Sequence, residues 1–114
     1  MSAYNNTITL VGRLGGDPEL QATPAGTVAS FQLAVNRNGG EKKETDWLRV
    51  EAWHNVARGV KKQLSKGDKV IVFGSFKVQK NEDKPAKYYK VIARNIGYDL
   101  NIPGEDRKEE SVEK

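Results

Sequence analysis

Two tryptophans beside an arginine are the residues of this sequence best suited by type and spacing to binding chemistry. Trp47, Arg49 and Trp53 fall on one face of an extended segment, and its other face is apolar: Leu48, Val50 and Ala52. Because those residues supply a core face, we expect both indoles to lie outside, beside the guanidinium. Indoles stack on any nucleobase and arginine pairs with phosphate, so the pattern indicates a nucleic-acid surface. The alternative is that a loop or a partner subunit covers both indoles.

The positive charge of the chain is concentrated in one stretch, which favours a polyanionic partner. The formal net charge is +4, yet residues 61–94 alone carry ten basic and three acidic side chains. Cations spread along a path suit a flexible phosphate backbone. The predicted nucleic-acid contacts, besides Trp47, Arg49 and Trp53, are Arg13, Arg37, Lys62, Lys77, Lys80, Lys87 and Tyr88. A solvated lysine-rich surface is the competing interpretation.

Alternation with a period of two predicts the elements that must position these side chains. Strands are expected over residues 5–14, 19–23, 27–36, 45–53, 68–79 and 88–98, of which 19–23 is a short edge strand. One helix is expected over 55–65, with Asn55 as its cap. Apart from the short edge strand, this is the order of the OB fold. We therefore predict a mainly all-β, five-stranded Greek-key barrel with one helix between the third and fourth strands.

The segment 68–79 is apolar on both faces at its start. Its core face is predicted to consist of Val70, Val72, Gly74, Phe76 and Val78. The opposite face begins with Ile71 and Phe73, and exposed apolar surface of this kind favours self-association. Both residues are therefore predicted at an oligomer interface, with cover by the C-terminal segment as the alternative. On the last strand, alternation predicts Tyr88 and Tyr98 on one face and Tyr89 on the other.

The sequence does not contain the residue patterns that metal binding or catalysis would require. There is no cysteine and only one histidine, His54, so neither thiolates nor a histidine cluster can hold a metal. The acidic residues lie in predicted loops or singly on strands, without a nucleophile or base beside them. We therefore predict no catalytic residue, no metal, no cofactor and no enzymatic activity. Since no apolar run approaches the length of a membrane span, no membrane partner is expected.

A single domain is predicted over residues 1–103, because no linker or repeat separates the strands. After Pro103 and Gly104 the sequence is charged and has no apolar anchor until Val112. Residues 104–114 are therefore predicted to form a disordered charged tail.

Four segments of the chain resemble bacterial-type single-stranded DNA-binding proteins. They are residues 7–20 (TITLVGRLGGDPEL), 29–37 (ASFQLAVNR), 44–53 (ETDWLRVEAW) and 66–76, which begins KGD and ends GSF. The resemblance implies an OB fold, usually assembled as a homotetramer, that binds single-stranded DNA without sequence specificity in replication, repair and recombination. It places such a protein in the cytoplasm, with the nucleoid. In that family, aromatic residues at the positions of Trp47 and Trp53 stack on bases.

The chain departs from the family pattern in its aromatic residues and at its end. Asn81 stands where many members carry a third stacking aromatic, and no aromatic follows the second long strand at residues 37–39. Fewer stacking platforms predict a larger electrostatic share of binding and stronger salt sensitivity. Members commonly end in an acidic and apolar tip that recruits replication and repair proteins. Residues 109–114 are acidic without such a tip, so the resemblance is to a short form, and contact with those proteins is an open alternative.

Two other functions fit part of the sequence, and a third, enzymatic one does not. An accessory OB-fold protein of replication restart would be a dimer that works mainly through contacts with other proteins. An RNA-binding OB module would use the same stacking and phosphate contacts, so only a comparison of affinities separates it. A nuclease would need a cluster of carboxylates holding a metal on the barrel, which the predicted positions of the acids do not provide.

Overall fold

In the described part of the chain, six strands and one helix follow one another in the order that the alternation predicts. The structure, a computed structural model, describes residues 5–39, 42–80 and 87–100. The bounds of the elements are β1 Ile8–Leu14, β2 Glu19–Thr23, β3 Gly26–Gly39, β4 Lys42–Trp53, α1 Asn55–Gln63, β5 Lys69–Lys80 and β6 Lys87–Tyr98. β3 and β4 are longer than predicted, because their ladder continues until Gly39 lies opposite Lys42.

Five of the strands close into a barrel. Neighbours pair in the order β1-β5-β6-β4-β3, and β3 pairs again with β1 through Arg13 opposite Ala34. These pairs are antiparallel except β4 with β6, which run parallel. Within the described residues, β2 pairs only with β3, as the predicted short edge strand. With α1 between β4 and β5, this is the OB-fold barrel expected from the sequence.

The predicted core faces of the strands fill the barrel. Buried strand residues include Leu14, Ala29, Phe31, Leu33, Val50, Ala52, Val70, Val72, Val91 and Ala93. The helix adds Ala57, Val60 and Leu64 to this core. Each fully buried valine or leucine stabilises the fold by roughly 1.5–3 kcal/mol. The inner faces therefore carry most of the stability, and the outer faces are available for binding.

The start of α1 differs from the prediction that Asn55 is its cap. Asn55 is already helical, the residue before the helix is His54 with a φ of 59°, and no described side chain caps the first turn. The backbone N–H of His54 instead donates to the Thr27 carbonyl at 2.8 Å. His54 is therefore a junction residue whose backbone joins the end of β4 to β3.

A bulge interrupts the ladder between β5 and β6. Phe73 pairs with Asn95 and Gly74 with Ala93, so Arg94 is an extra residue on β6. A Cβ on Gly74 would meet the β6 backbone, which explains why this close approach has glycine. The alternation of side chains along β6 therefore reverses at Arg94.

The reversal overturns one prediction about the tyrosines of β6. Tyr89 and Tyr98 do not face opposite ways: both fall on the side of the core residues Val91 and Ala93. The Tyr98 hydroxyl donates to the Gln63 carbonyl at 2.6 Å, at the end of α1. Tyr98 thus contributes to the attachment of the helix, and the inserted residue that turns it could not be read from a strict period of two.

In the outer part of the β5–β6 hairpin, one predicted core residue is exposed. Val78, expected inside, is 48% exposed, and its ladder partner Tyr89 is exposed as well. The pairing of β4 with β6 begins only at Arg49 opposite Lys90, so β4 does not cover the hairpin beyond that point.

Some expectations fall on parts of the chain that the structure does not describe. The predicted tail at residues 104–114, the domain limit at 103 and the loop position Asn81 all lie outside the described residues. Within residues 5–39, 42–80 and 87–100, no helix is long and apolar enough to cross a membrane. The same residues contain no group of three or more His, Cys, Asp or Glu side chains placed to hold a metal.

Candidate nucleic-acid interface

The outer face of β4 carries the side chains that point to binding. Trp47 is 59% exposed and the Arg49 side chain is 50% exposed, while Val50 and Ala52 on the inner face are fully buried. Alternation thus divides the strand into a core side and a solvent side, as predicted. Because a large exposed indole beside a cation marks a contact surface, this face is the candidate site.

The indole of Trp47 lies over the turn that follows β1. A Cβ added to Gly15 would come within 2.6 Å of Trp47 Cζ3, so only glycine lets the ring lie this close to the backbone. The turn is held by the N–H of Gly15, which donates to the Gln32 carbonyl at 2.8 Å. Gly15 therefore forms the floor beneath the indole. It is not among the predicted site residues, because the contact joins positions far apart in the sequence.

Arg49 belongs to a polar row that crosses four strands on the outer surface. Gln32 on β3 and Lys90 on β6 flank Arg49 in register. Lys77 on β5 lies opposite Lys90. Since neighbouring strands are about 4.8 Å apart, the three cations of this row span roughly 10 Å. Lys77 is exposed, as its predicted role as a phosphate contact requires.

Two concave spaces, of about 640 Å³ and 420 Å³, meet at this row. Both are lined by Gln32, Trp47 and Arg49, so they form one open channel, which we call the outer groove. One end reaches the turn after β1, and the other end is lined by Glu51, Gln79, Tyr89 and Lys90. An open groove lined by an indole, a guanidinium and polar side chains suits an extended polymer.

A buried carboxylate lies beside the outer groove. Glu51 is only 7% exposed although it is charged. Its Oε2 accepts a hydrogen bond from Arg49 Nε at 3.2 Å, and its Oε1 lies 3.1 Å from the ammonium of Lys90. The second contact lacks hydrogen-bond geometry. It is nevertheless an ion pair, because the attraction between two charges depends on their distance.

The ionisation of Glu51 follows from these neighbours. Burial by itself would raise the pKa of Glu51, but the close polar contacts and positive charges of Lys90 and Arg49 outweigh burial and lower it. Glu51 is therefore ionised at neutral pH. Its contribution to stability is present above its ordinary pKa and is lost as the pH falls through the lower pKa of the folded state. Glu51 is not a predicted site residue, because a parallel pairing between distant segments brings it to Lys90.

Trp53 is the last residue of β4, whereas Trp47 lies in the middle of the strand. Trp53 is six positions further along the strand than Trp47, which corresponds to about 20 Å. The indole of Trp53 is half-buried and tilts against the His54 ring, with the ring centroids 6.1 Å apart. The described lining of the outer groove does not include Trp53. The two tryptophans therefore share a face but have different surroundings.

Arg13 lies close to the outer groove. It is in register with Ala34 on β3, and Ala34 is in turn opposite Trp47. The arginine is therefore level with that indole, two strands away. Its Nη1 donates to the Gly67 carbonyl at 3.0 Å, and no described carboxylate pairs with it. Its charge is thus available to a polyanion.

Arg37 and Lys62 are brought to other places. Arg37 forms ion pairs with Glu44 at 2.7 Å and Asp46 at 2.8 Å, across the ladder of β3 and β4. Two carboxylates therefore compensate its charge. Lys62 is exposed in the last turn of α1 and does not line the described part of the outer groove.

The side chains of Lys80, Lys87 and Tyr88 lie outside the described part of the structure. Their backbones belong to the hairpin of β5 and β6, where Lys80 pairs with Lys87. Their contacts with DNA stay predictions. The neighbouring Tyr89 is exposed and stacks on Phe76, with centroids 5.4 Å apart.

The predicted interface residues lie on another part of the barrel, on the outer faces of β1 and β5. Phe73 is 46% exposed, and the partly exposed Ile71 lies opposite Val11, which is exposed as well. These three residues form an apolar patch, which we call the β1–β5 patch. It shares no residue with the described lining of the outer groove.

A family model described as the single-strand binding protein family matches residues 5–98, which include all the described strands and the described helix. The chain belongs to the single-strand binding protein family. The resemblance predicted from the four sequence segments is thereby confirmed. The matched residues form the barrel and line the outer groove.

Curated members of the single-strand binding protein family align over most of this chain. A single-stranded DNA-binding protein of Paenarthrobacter aurescens is 36% identical over 102 residues, which are 82% of this chain and 60% of the relative. Single-stranded DNA-binding protein 2 of Listeria monocytogenes is 41% identical over 100 residues, 82% of this chain and 62% of the relative. This chain thus spans about three fifths of the length of these curated relatives.

A solved structure related to the single-strand binding protein family has the same fold. It is the crystal structure of a small single-stranded DNA-binding protein from Streptomyces coelicolor, with a TM-score of 0.72 and 27% sequence identity. The similarity covers 86% of this chain and 97% of that one. It supports the assignment of the closed barrel with one helix to the OB fold.

Proposed function

We propose that this chain binds single-stranded DNA without sequence preference along the outer groove. The observation that carries the proposal is the exposed indole of Trp47 beside the Arg49 guanidinium in an open channel. Membership of the single-strand binding protein family supports it. A base lies flat on the indole, while Arg49 and Lys77 hold the adjoining phosphates.

The lack of sequence preference follows from the chemistry of these contacts. Every base has a π-face, and stacking on an aromatic side chain contributes about 1–3 kcal/mol per base whatever its identity. Phosphates are the same at every step of the strand, so the cations add affinity without reading sequence. A duplex already stacks its bases on one another, so we expect it to bind less tightly than a single strand.

The proposed DNA contacts are unequal. They are Trp47, Trp53, Arg49, Arg13, Arg37, Lys62, Lys77, Lys80, Lys87 and Tyr88. Trp47, Arg49 and Lys77 form the centre, because the outer face brings them together. Arg37 is expected to add least among the described cations, since its charge is already compensated.

Titration with oligo(dT), followed by tryptophan fluorescence at two salt concentrations, tests this proposal. We expect strong quenching by the single strand, weaker binding at the higher salt and little response to duplex DNA. An oligo(U) titration serves as a second comparison, because an RNA-binding module would prefer it. Equal affinity for duplex and single strand, or the absence of quenching, would contradict the proposal.

We also infer that the chain assembles through the β1–β5 patch, most simply as the homotetramer that the family resemblance implies. Ile71 and Phe73 are the proposed interface residues, and their exposure in the single chain supports this. Because the patch and the outer groove are separate, each subunit can present its groove after assembly. The DNA can then wrap around several subunits.

In the cell, the proposed role is to protect single-stranded DNA during replication, repair and recombination. This role places the protein in the cytoplasm, on the nucleoid. It needs binding alone, so we propose neither an enzymatic activity nor a cofactor. Replication and repair proteins are possible further partners, which affinity measurements with purified enzymes of these processes would test.

A further inference from the structure

Three charged side chains meet beside the outer groove and carry a net charge of +1. Glu51 lies between Arg49 and Lys90, with its carboxylate contacting both cations. The side chains differ in exposure: 50% for Arg49, 16% for Lys90 and 9% for Glu51. The arginine therefore faces solvent, whereas the lysine is held in the barrel surface next to the buried carboxylate.

The contact with Glu51 leaves most of the Arg49 guanidinium available. Glu51 is bonded to Nε, and the two terminal nitrogens have no hydrogen-bond partner among the described residues. A guanidinium is planar, so fixing one edge orients the remaining donors. The ammonium of Lys90, by contrast, is a point charge on a flexible stem and would turn towards an anion if nothing held it.

An acidic side chain in a DNA-binding groove opposes binding through charge repulsion, so this one needs a compensating effect. One compensating effect is to hold a cation in the position that it has in the complex, because this lowers the conformational entropy lost on binding. Burial and two ionic contacts give Glu51 the geometry for it.

We propose that Glu51 is a positioning residue for DNA: it fixes Arg49 in the outer groove and withholds Lys90 from the phosphates. This inference rests on the proposed binding of single-stranded DNA. It assigns the phosphate contact at this point of the groove to one cation, Arg49, although two lie side by side on neighbouring strands.

The test is the affinity for oligo(dT) as a function of salt, for the wild type and for Glu51→Gln. The neutral amide of the variant cannot hold either cation by charge, so Lys90 is released to a phosphate and Arg49 loses its fixed position. We expect the slope of log K against log[salt] to steepen by about 0.7, the effect of one further phosphate contact on a single strand. At high salt the variant should bind about fivefold more weakly. The two lines should therefore cross.

Glu19→Gln is the matched control, because it removes the same charge from the same groove. Glu19 lines the outer groove on β2, is exposed and makes no ion pair with a described residue. This variant should bind as tightly as the wild type or more tightly at every salt concentration, without a crossing. A crossing in the control as well would overturn the positioning role, since any lost acid would then have this effect.

Lys90→Gln provides a second variant in case Glu51→Gln fails to fold, which a thermal unfolding scan would reveal. Because Lys90 is withheld from DNA, its loss should leave the salt slope unchanged. A slope less steep by about 0.7 would overturn the inference. The inference would also be overturned if the wild type binds oligo(dT) and the plot of log K against log[salt] for Glu51→Gln runs parallel to that of the wild type. A wild type that does not bind oligo(dT) would instead overturn the proposed function and this inference with it.

Discussion

Trp47 and Trp53 lie on the same face of β4 but differ in how much of the indole is buried. Trp47 has most of its surface in water and rests on a glycine, so its indole contributes little to the stability of the barrel. Trp53 is half-buried beside the His54 ring at the junction of β4 and α1. An exposed aromatic can be devoted to a ligand, whereas a half-buried one also supports the fold.

This difference predicts separable effects of the two alanine variants. Trp47→Ala should weaken oligo(dT) binding by about 1–3 kcal/mol and leave the melting temperature nearly unchanged. Trp53→Ala should also weaken binding, and should lower the free energy of unfolding by about 2 kcal/mol, roughly half the cost for a core tryptophan. Affinity titrations and thermal scans on both variants measure this. A destabilised Trp47→Ala would show that this indole is part of the core after all.

At the scale of elements, the turn after β1 decides where the Trp47 indole can lie. The turn is attached to the barrel at several points: Gly15 N–H bonds the Gln32 carbonyl, and the Asp17 carboxylate accepts from Lys66 N–H at 2.8 Å. Asp17 therefore has a structural partner. The rigid turn supports the ring from below and keeps its other side open.

Gly15→Ala should move the indole, because the new methyl group would lie 2.6 Å from its Cζ3. We expect weaker oligo(dT) binding by about 1 kcal/mol, a part of what a stacked base is worth, and a shifted tryptophan emission spectrum. Gly16→Ala is the matched control, since a Cβ at Gly16 meets no atom within 4 Å. Equal effects of both variants would mean that the turn backbone matters and the contact with the indole does not.

At the scale of the whole molecule, barrel closure separates two outer surfaces. The outer groove runs across β3, β4 and β6 and reaches Gln79 near the end of β5, whereas the β1–β5 patch lies on β1 and the first half of β5. Phe73 and Val78 are both on β5 and similarly exposed, but they occupy opposite faces of the strand. Only Phe73 belongs to the β1–β5 patch.

Phe73→Glu should therefore reduce the mass of the protein in light scattering. A charge without a partner, buried in an apolar interface, opposes assembly by more than roughly 2 kcal/mol. Val78→Glu is the control, as it places the same charge on the same strand outside the patch and should leave the mass unchanged. A Phe73→Glu variant with the wild-type mass would contradict the proposed interface.

Local alternation was sufficient for much of this architecture. A period of two separates Val50 and Ala52 from Trp47 and Arg49 whatever surrounds the strand, because successive side chains of a strand point to opposite faces. The order of strands and helix then indicated the OB fold, and the motifs around Trp47 indicated the family. These features depend on residues that are close together in the sequence, so the sequence alone was enough to predict them.

Pairing between distant segments decided the rest. The parallel ladder of β4 and β6 brings Lys90 to Glu51, and the turn at Gly15 is placed beneath Trp47 only when the barrel closes. The bulge at Arg94 reverses the tyrosines because one residue more on β6 faces the same length of β5. Such contacts depend on which strands become neighbours and in what register. The neighbours and the register are those that bury the apolar faces of all the strands together.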